Sequence, residues 1–389
     1  MNCQKAQRMQ NFVLMNEKKI QDDRFMAAAI RLAERHVGLT GENPSVGALI
    51  VRSDNTGESI VGYGVTAPGG RPHAEVQALR MAGPLSRGAT AYVTLEPCAH
   101  YGRTPPCVNA LIDSGISRVA VALTDLDKRV CGRGIARLRA AGIEVVEGVL
   151  AEEAFETLSS YLCVKKLNRC EVTLKMAISA DNGLGKKRQG RIKISGEISR
   201  TYTHTLRAQN DAIMVGIGTI LADNPDLSCR LPGLEMRSPI RVILDTDLRI
   251  PIDAKVIQTA TRIPTWIICG MDFSKESKKI ALKQCGVSVY PVKADNNFMQ
   301  PLSILKLLRL HGVNSVLLEG GAETAERFLN AGCVDYLLCF YTSVILGEDR
   351  VEAPDLEIYI SGFDKIETKM LGNDRFYKWR RKTLCSQGL

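Results

Sequence analysis

Pro72-His73-Ala74-Glu75, followed by Glu96-Pro97-Cys98 and then, after eight residues, by Cys107, is the part of this 389-residue sequence on which its reading turns. One imidazole and two thiolates form the donor set of a tetrahedral Zn²⁺ and leave the fourth position open to a water, whose pKa the metal brings toward roughly 7. Glu75 follows the histidine by two residues, at the start of an expected helix from Ala74 to Ala82. From there a carboxylate can stand beside the metal without ligating it and carry a proton from the water to a leaving group. Any one of these residue types alone would be ordinary core, since the chain has 12 cysteines and Cys is often buried. Their order, their neighbours and the offset of the glutamate together point to a catalytic zinc. A closed structural site would need a fourth ligand, and the nearest candidate, His100, stands two residues from Cys98, better placed for substrate.

The pattern matches the zinc nucleobase deaminase signature H-x-E and P-C-x-x-C except in the last interval, where Ala99 to Pro106 are inserted and form a loop. Pro105 and Pro106 precede an amphipathic run, Val108 to Ser114, as prolines do at a first helical turn. Cys107 then lies near a helix N-terminus, a location that favours the thiolate.

A chain of 389 residues exceeds the size at which one core keeps growing, so two domains are expected. Hydrophobic residues at 45% and charged residues at 24% are those of an ordinary soluble protein. No stretch has the length and apolarity of a membrane span, and the first twenty residues lack the apolar core of a secretory signal. With twelve unpatterned cysteines, a reducing compartment, the cytoplasm, is the expectation. The net charge of +9 is dispersed, and with aromatics at 5% there is no interleaved stacking pattern. Pockets for a phosphorylated small molecule are therefore favoured over a nucleic-acid surface.

Along the chain, residues 1–21 are expected to be a flexible arm, and Asp22 to His36 shows helical spacing. Strands are expected at Val46 to Val51, Ser59 to Val65, Ala89 to Leu95, Arg118 to Leu123 and Ile143 to Val149, with a helix at Gly134 to Ala141. These give an α/β sheet of about five strands with helices on both faces over 22–150, with the metal at strand-to-helix junctions. Residues 151–168 form a helical connector, and a second, different α/β unit occupies 169–389. In that unit Val172 to Asp181 reads as a buried strand ending in polar groups. The strands Asp211 to Val215 and Ser315 to Leu318 each run into a glycine turn and a helix, Gly216-Ile217-Gly218-Thr219 and Glu319-Gly320-Gly321-Ala322-Glu323. Two such turns suit a pyrophosphate cofactor. Neither is a G-x-G-x-x-G, so a Rossmann fold is not supported.

Asn43-Pro44-Ser45-Val46-Gly47-Ala48, Pro72 to Glu75, Thr94 to Cys107, Gly134-Ile135-Ala136-Arg137-Leu138 and Leu221-Ala222-Asp223-Asn224-Pro225 together give the chain, over about 22–385, a close resemblance to the bifunctional riboflavin-biosynthesis deaminase/reductase family. The long cysteine interval is a feature of that family. The resemblance implies an N-terminal cytidine-deaminase-like three-layer α/β/α zinc domain and a C-terminal dihydrofolate-reductase-like α/β domain. The implied substrate is 2,5-diamino-6-(5-phosphoribosylamino)pyrimidin-4-one, deaminated by the first domain, with one Zn²⁺ per chain, and reduced at its ribose by the second with NADPH. His73, Cys98 and Cys107 would bind zinc, with Glu75 as the catalytic proton carrier. Asn43 would contact the pyrimidine, and His100, Arg103 and Asp125 the ribose phosphate region. Ala177, Lys193, Thr219, Asp223 and the loop from Gly321 would contact NADPH, and Arg191, Arg207, Leu227, Arg230 and Glu319 the reductase substrate. A homo-oligomer is also implied.

Some positions depart from the family pattern. Thr66 stands where a histidine is usual, Leu126-Asp127-Lys128 replaces Pro-Asn-Pro, and Lys193, Arg191 and Cys170 replace an aromatic, a small polar residue and a proline. Loss of reduction is thus an outcome to test. Two other classes compete. A deaminase of tRNA or another nucleotide with an inactive reductase-like half predicts clustered basic charge and C-x-x-C. A zinc-stabilised scaffold has no use for Glu75.

Overall fold

The computed structural model describes residues 2–55, 57–187, 190, 192–271, 275–295 and 298–385. It divides into two compact units, the first ending at Lys166 and the second beginning at Leu167.

The first unit contains α1 (Asn2–Glu34), β1 (Gly47–Asp54), β2 (Gly57–Val65), α2 (Ala74–Ala82), β3 (Thr90–Leu95), α3 (Cys107–Asp113), β4 (Arg118–Leu123), α4 (Arg133–Ala140), β5 (Glu144–Glu147) and α5 (Ala151–Leu167). Its five strands are ordered β2-β1-β3-β4-β5. β1 is antiparallel to both neighbours, and β3, β4 and β5 run parallel. All of β4 is buried, as a central parallel strand covered on both faces should be. Glycines on the first two strands let helices approach closely. A Cβ at Gly64 would lie 2.2 Å from the Ala74 carbonyl, and one at Gly62 would lie 2.2 Å from that of Ala78, so α2 rests directly on β2. On the other face a Cβ at Gly47 would lie 1.9 Å from the Ala29 carbonyl of α1. The side-chain alternation of paired strands puts these contacts on opposite faces, a three-layer arrangement.

Arg118 fixes α1 to the sheet by donating to both Asp22 carboxylate oxygens, at 2.8 and 2.7 Å, and the Tyr92 hydroxyl donates to the same carboxylate at 2.9 Å. The helix expected from Asp22 begins instead at Asn2, so it continues through the residues expected to form an arm. Gln4, Lys5, Ala6, Gln7 and Arg8 are strong helix formers, and propensity carries a helix where no apolar stripe announces it.

The second unit contains β6 (Glu171–Ile178), β7 (Gly183–Lys186), α6 (Glu197–Gln209), β8 (Ala212–Gly216), α7 (Ile217–Asp223), β9 (Ile240–Leu244), α8 (Lys255–Gln258), β10 (Thr265–Gly270), α9 (Glu276–Gln284), β11 (Ser288–Val292), β12 (Ala294–Asp295), β13 (Phe298–Met299), α10 (Pro301–Leu310), β14 (Ser315–Leu318), α11 (Ala322–Asn330), β15 (Tyr336–Tyr341), β16 (Arg350–Glu352), α12 (Glu357–Ile360), β17 (Phe363–Leu371), β18 (Asp374–Arg381) and α13 (Lys382–Cys385). Nine strands form one sheet in the order β11-β10-β9-β8-β14-β6-β15-β18-β17, parallel from β11 to β15 and antiparallel through β18 and β17. Alternation divides its apolar residues between two faces: Met214, Val242, Ile268 and Leu318 pack on one side, and Ile213, Val215, Ile243 and Ile267 on the other. Among the described residues no helix is long and apolar enough to cross a membrane.

Candidate active sites

In the first unit three ligand atoms converge where strands give way to helices. His73 is the N-cap residue of α2, Cys98 follows β3, and Cys107 opens α3. Their donor atoms all lie within 4.8 Å of one another, with His73 Nδ1 at 3.7 Å from Cys98 Sγ and 3.3 Å from Cys107 Sγ. Zn–N and Zn–S bonds of about 2.0 and 2.3 Å at a tetrahedral angle put such atoms about 3.5 Å apart, so this donor set fits a zinc ion. Glu75, 4% exposed in the first turn of α2, borders the site next to the Cys107 sulfur. Burial pushes its carboxyl up and the His73 imidazole opposes that, the direction a proton carrier working near neutrality needs.

The sulfurs differ from the sequence expectation. The helix-terminal N–H of Cys107 donates to Cys98 Sγ at 3.3 Å, so the start of α3 supports the Cys98 thiolate rather than its own residue. The hydrogen bond from Cys107 holds the Cys98 thiol down at about 4, while the same bond and burial push Cys107 up. A divalent cation bound here would displace the thiol protons and hold both sulfurs as thiolates.

The surroundings were only partly legible. Glu96, 3% exposed, accepts four backbone N–H bonds, from Asp125 (3.2 Å), Gly132 (2.9 Å), Gly134 (2.8 Å) and Ile135 (3.2 Å). This carboxylate closes the N-terminus of α4 and ties it to the strand that delivers Cys98. Gly134 is required there, because a Cβ would lie 2.3 Å from the Pro97 carbonyl. From the same helix Arg137 donates to the Ala99 carbonyl at 3.0 Å and to Asn109 Oδ1 at 2.6 Å, and so ties the start of the loop between the cysteines to α3. Nothing in the motif itself signals Glu96 or Arg137 as anchors.

Four residues were expected to meet substrate here. The Asn43 amide fills the space left by Gly70, whose φ is 87° and whose Cβ would lie 2.1 Å from Asn43 Nδ2. His100 carries a buried Nδ1 with no hydrogen-bond partner, as a ligand-facing ring would. Arg103 is exposed on the loop. Near it, Arg71 donates to Thr104 Oγ1 at 2.6 Å, a cation the sequence reading did not single out. Asp125 is differently occupied: it accepts from the Tyr161 hydroxyl at 2.9 Å and from the Asp127 N–H at 2.8 Å. Thr66, at the family's histidine position, is buried and bonded through Oγ1 to the Val46 N–H at 3.0 Å, and its carbonyl accepts from His36 Nδ1 at 2.7 Å.

In the second unit a cavity of about 470 Å³ opens at the carboxyl ends of β8, β9 and β14, where open α/β sheets bind ligands. Both glycine turns line it, with Thr219 and Gly321. Their glycines do two jobs. A Cβ at Gly216 would meet Thr324 Oγ1 at 2.6 Å and one at Gly320 would meet Thr324 Cβ at 2.9 Å, so these two seat α11. Gly218 and Gly321 face nothing within 4 Å and leave their backbone open to a ligand. That open cradle, with a volume suited to a dinucleotide portion, fits a pyrophosphate cofactor. Thr246, Arg249 and Arg327 also line it, the last ion-paired with Glu323 and 3.8 Å above the Phe298 ring. Ala177, half-buried on β6, exposed Lys193 and half-buried Asp223 at the end of α7 do not line this cavity.

The expected substrate residues of this unit are only partly assembled. Arg207 and Glu319 are bonded to each other, Nε to Oε1 at 2.8 Å and Nη2 to Oε2 at 3.0 Å. Burial would push the Glu319 carboxyl up, but the Arg207 guanidinium overrides it and holds it at about 2. Leu227, at φ 56°, buries its side chain in the core with Ile213 and Val215 and can offer a ligand only its backbone. Arg230 is exposed, and Arg191 lies outside the described residues.

Comparison with known proteins gives a consistent result. The family model for the cytidine and deoxycytidylate deaminase zinc-binding region matches residues 19–123, and that for the RibD C-terminal domain matches 171–374. The chain is 40% identical over 328 residues to the riboflavin biosynthesis protein RibD of Bacillus amyloliquefaciens, covering 84% of this chain and 85% of that one. The RibD of Aquifex aeolicus is likewise 40% identical, over 84% and 88% of the two chains. Among solved structures, the diaminohydroxyphosphoribosylaminopyrimidine deaminase/5-amino-6-(5-phosphoribosylamino)uracil reductase of Thermotoga maritima superposes with a TM-score of 0.81 at 30% identity, covering 94% of this chain and 99% of that one.

Proposed function

The chain belongs to the RibD family of riboflavin-biosynthesis proteins, and from that premise we propose how its own residues divide the two reactions of a bifunctional deaminase/reductase. It deaminates 2,5-diamino-6-(5-phosphoribosylamino)pyrimidin-4-one to 5-amino-6-(5-phosphoribosylamino)uracil and reduces the ribosyl to the ribityl chain with NADPH. Action on a tRNA base is not favoured.

His73, Cys98 and Cys107 hold the zinc, which when bound supplies Lewis-acid activation of the hydrolytic nucleophile. Glu75 takes up a proton on its carboxylate and delivers it to the departing amino nitrogen, so that a C–N bond is exchanged for a carbonyl and ammonia leaves neutral. Asn43 orients the pyrimidine, while His100, Arg103 and Arg71 face the phosphoribosyl end, where charge-assisted donors suit a phosphate monoester. Asp125 acts through Tyr161 and the 125–127 turn to shape that end of the pocket. In the second unit Thr219 and the backbone of Gly218 and Gly321 hold the cofactor pyrophosphate. Arg207, Arg230, Glu319 and the Leu227 backbone frame the ribose phosphate, and Ala177, Lys193 and Asp223, which stand outside the cavity lining, are left for the rest of the cofactor. Hydride transfer needs chiefly orientation, so no catalytic acid is assigned here. The enzyme acts on small molecules, not nucleic acid, as a cytoplasmic homo-oligomer.

The observation that carries this reading is the three-ligand cluster with buried Glu75 beside it. The test follows ammonia release and NADPH consumption separately in zinc-loaded wild type and Glu75→Gln. Both signals are expected in wild type, and ammonia should fall by roughly 10²- to 10⁴-fold in the variant. The variant should still consume NADPH when given the deaminated intermediate. Ammonia without NADPH loss in wild type would mean a failed reductase; no ammonia would sink the assignment of substrate.

A further inference from the structure

His204 has no place in the motif reading, yet it grips the segment that carries Arg230. On α6, His204 and Arg207 stand three residues apart and so share a helix face. Both reach the stretch from Ser228 to Arg230. Arg207 Nη1 donates to the Ser228 carbonyl at 3.0 Å, and the Arg230 backbone N–H donates to His204 Nδ1 at 3.3 Å. Between them the Cys229 thiol donates to the His204 carbonyl at 3.4 Å. Three successive residues are thereby bonded to one face of one helix, and two further Arg207 N–H groups, on Nε and Nη2, go to Glu319.

The tautomer follows from the geometry. A ring nitrogen that accepts an N–H cannot carry a proton, so the single proton of a neutral imidazole sits on Nε2. Burial, followed by the nearby Arg207 and Arg230 charges, holds the His204 pKa down at about 4 against the opposing Glu319, which keeps the ring neutral in working conditions. A neutral acceptor suits this place better than a third cation. It fixes the backbone between two guanidinium groups without adding to their repulsion.

We propose that His204 is a positioning residue for the reduction, holding the Ser228–Arg230 backbone so that Arg230 and Arg207 meet the phosphoribosyl end of the substrate together. This rests on the assignment of Arg207, Arg230 and Glu319 to the reductase pocket. Asparagine can place its amide oxygen where Nδ1 stands and accept the same bond; leucine cannot. The test compares His204→Leu and His204→Asn in the full-length zinc-loaded chain. Its readouts are KM and kcat for 5-amino-6-(5-phosphoribosylamino)uracil, its calorimetric binding constant, NADPH affinity by fluorescence, and ammonia release.

The leucine variant should raise KM and the dissociation constant for the uracil substrate by about 10- to 100-fold, and asparagine should recover most of that loss. NADPH affinity and ammonia release should stay within about twofold of wild type in both. A leucine variant that binds the substrate like wild type overturns the proposal. So does an asparagine variant as impaired as leucine, or a loss of NADPH affinity in step with substrate affinity, since either marks general damage to the fold. Wild type that binds the uracil substrate but oxidises no NADPH overturns the reductase activity instead, and the binding constants still decide for His204.

Discussion

The two candidate sites are built by different means. In the first, the site is made of side chains whose chemistry is rare in combination: an imidazole, two thiolates and a buried carboxylate on two strand-to-helix junctions. In the second, the proposed cofactor cradle is mainly backbone, and a Cβ at Gly218 or Gly321 would meet nothing within 4 Å. A metal demands particular atoms and so leaves a pattern of residue types. A pyrophosphate demands exposed N–H groups, which many sequences supply. The residue types are therefore specific for the zinc site, whereas for the cradle they offer only glycine turns, which serve many purposes.

The sharpest way to break that contrast is to remove a thiolate. Cys107→Ala should abolish stoichiometric zinc and lower ammonia release by at least roughly 10³-fold, while NADPH titration stays as in wild type. Retained zinc, measured by metal analysis after gel filtration, would mean that the site does not depend on this donor set.

A smaller effect is expected from Arg207→Met, which strands the Glu319 carboxylate. Because the folded-state pKa of about 2 lies below the ordinary 4.5, the pair stabilises the fold above about pH 4.5 and loses that contribution as pH falls toward 2. The variant should lose on the order of 2–4 kcal/mol in urea unfolding at pH 7, with the difference from wild type shrinking below pH 4. A difference that does not depend on pH would show that Glu319 is not held down by Arg207.

Smallest is Gly321→Val, which puts methyl groups into the empty side of the cradle. NADPH affinity should drop by about tenfold, with zinc content and ammonia release unchanged. Unchanged affinity would move the cofactor elsewhere.

Much of the fold could be read from the sequence, and the reasons are local. Ala74 to Ala82 and Arg118 to Leu123 were both bounded in place by apolar spacing and by turn residues at their ends. The first half of α1 was not, since residues 2–21 form a helix from propensity without an apolar stripe. Of the site, the grouping of His73, Cys98 and Cys107 beside Glu75 could be read because their offsets are fixed by chemistry. Glu96 could not, because its four partners are backbone N–H groups and any residue with an N–H would serve at two of them, Asp125 and Ile135. Leu227, a position carried over from resemblance, turns its side chain into the core and leaves only its backbone to a ligand, which the residue type does not announce. His204 was passed over because its bond goes to backbone 26 residues away.

The Glu96 cradle also has a bearing on protein engineering. Its bonds to Gly132 and Gly134 span 36 and 38 residues, and Arg137 returns from the same helix to pin the loop between the cysteines. A graft limited to the H-x-E and cysteine motifs would carry the ligands to a new scaffold without the parts that aim them. Even a segment from Arg71 through Arg137, which keeps Glu96 and Arg137 with the ligands, would leave behind β2, on which α2 rests, and the Tyr161 hydroxyl that holds Asp125.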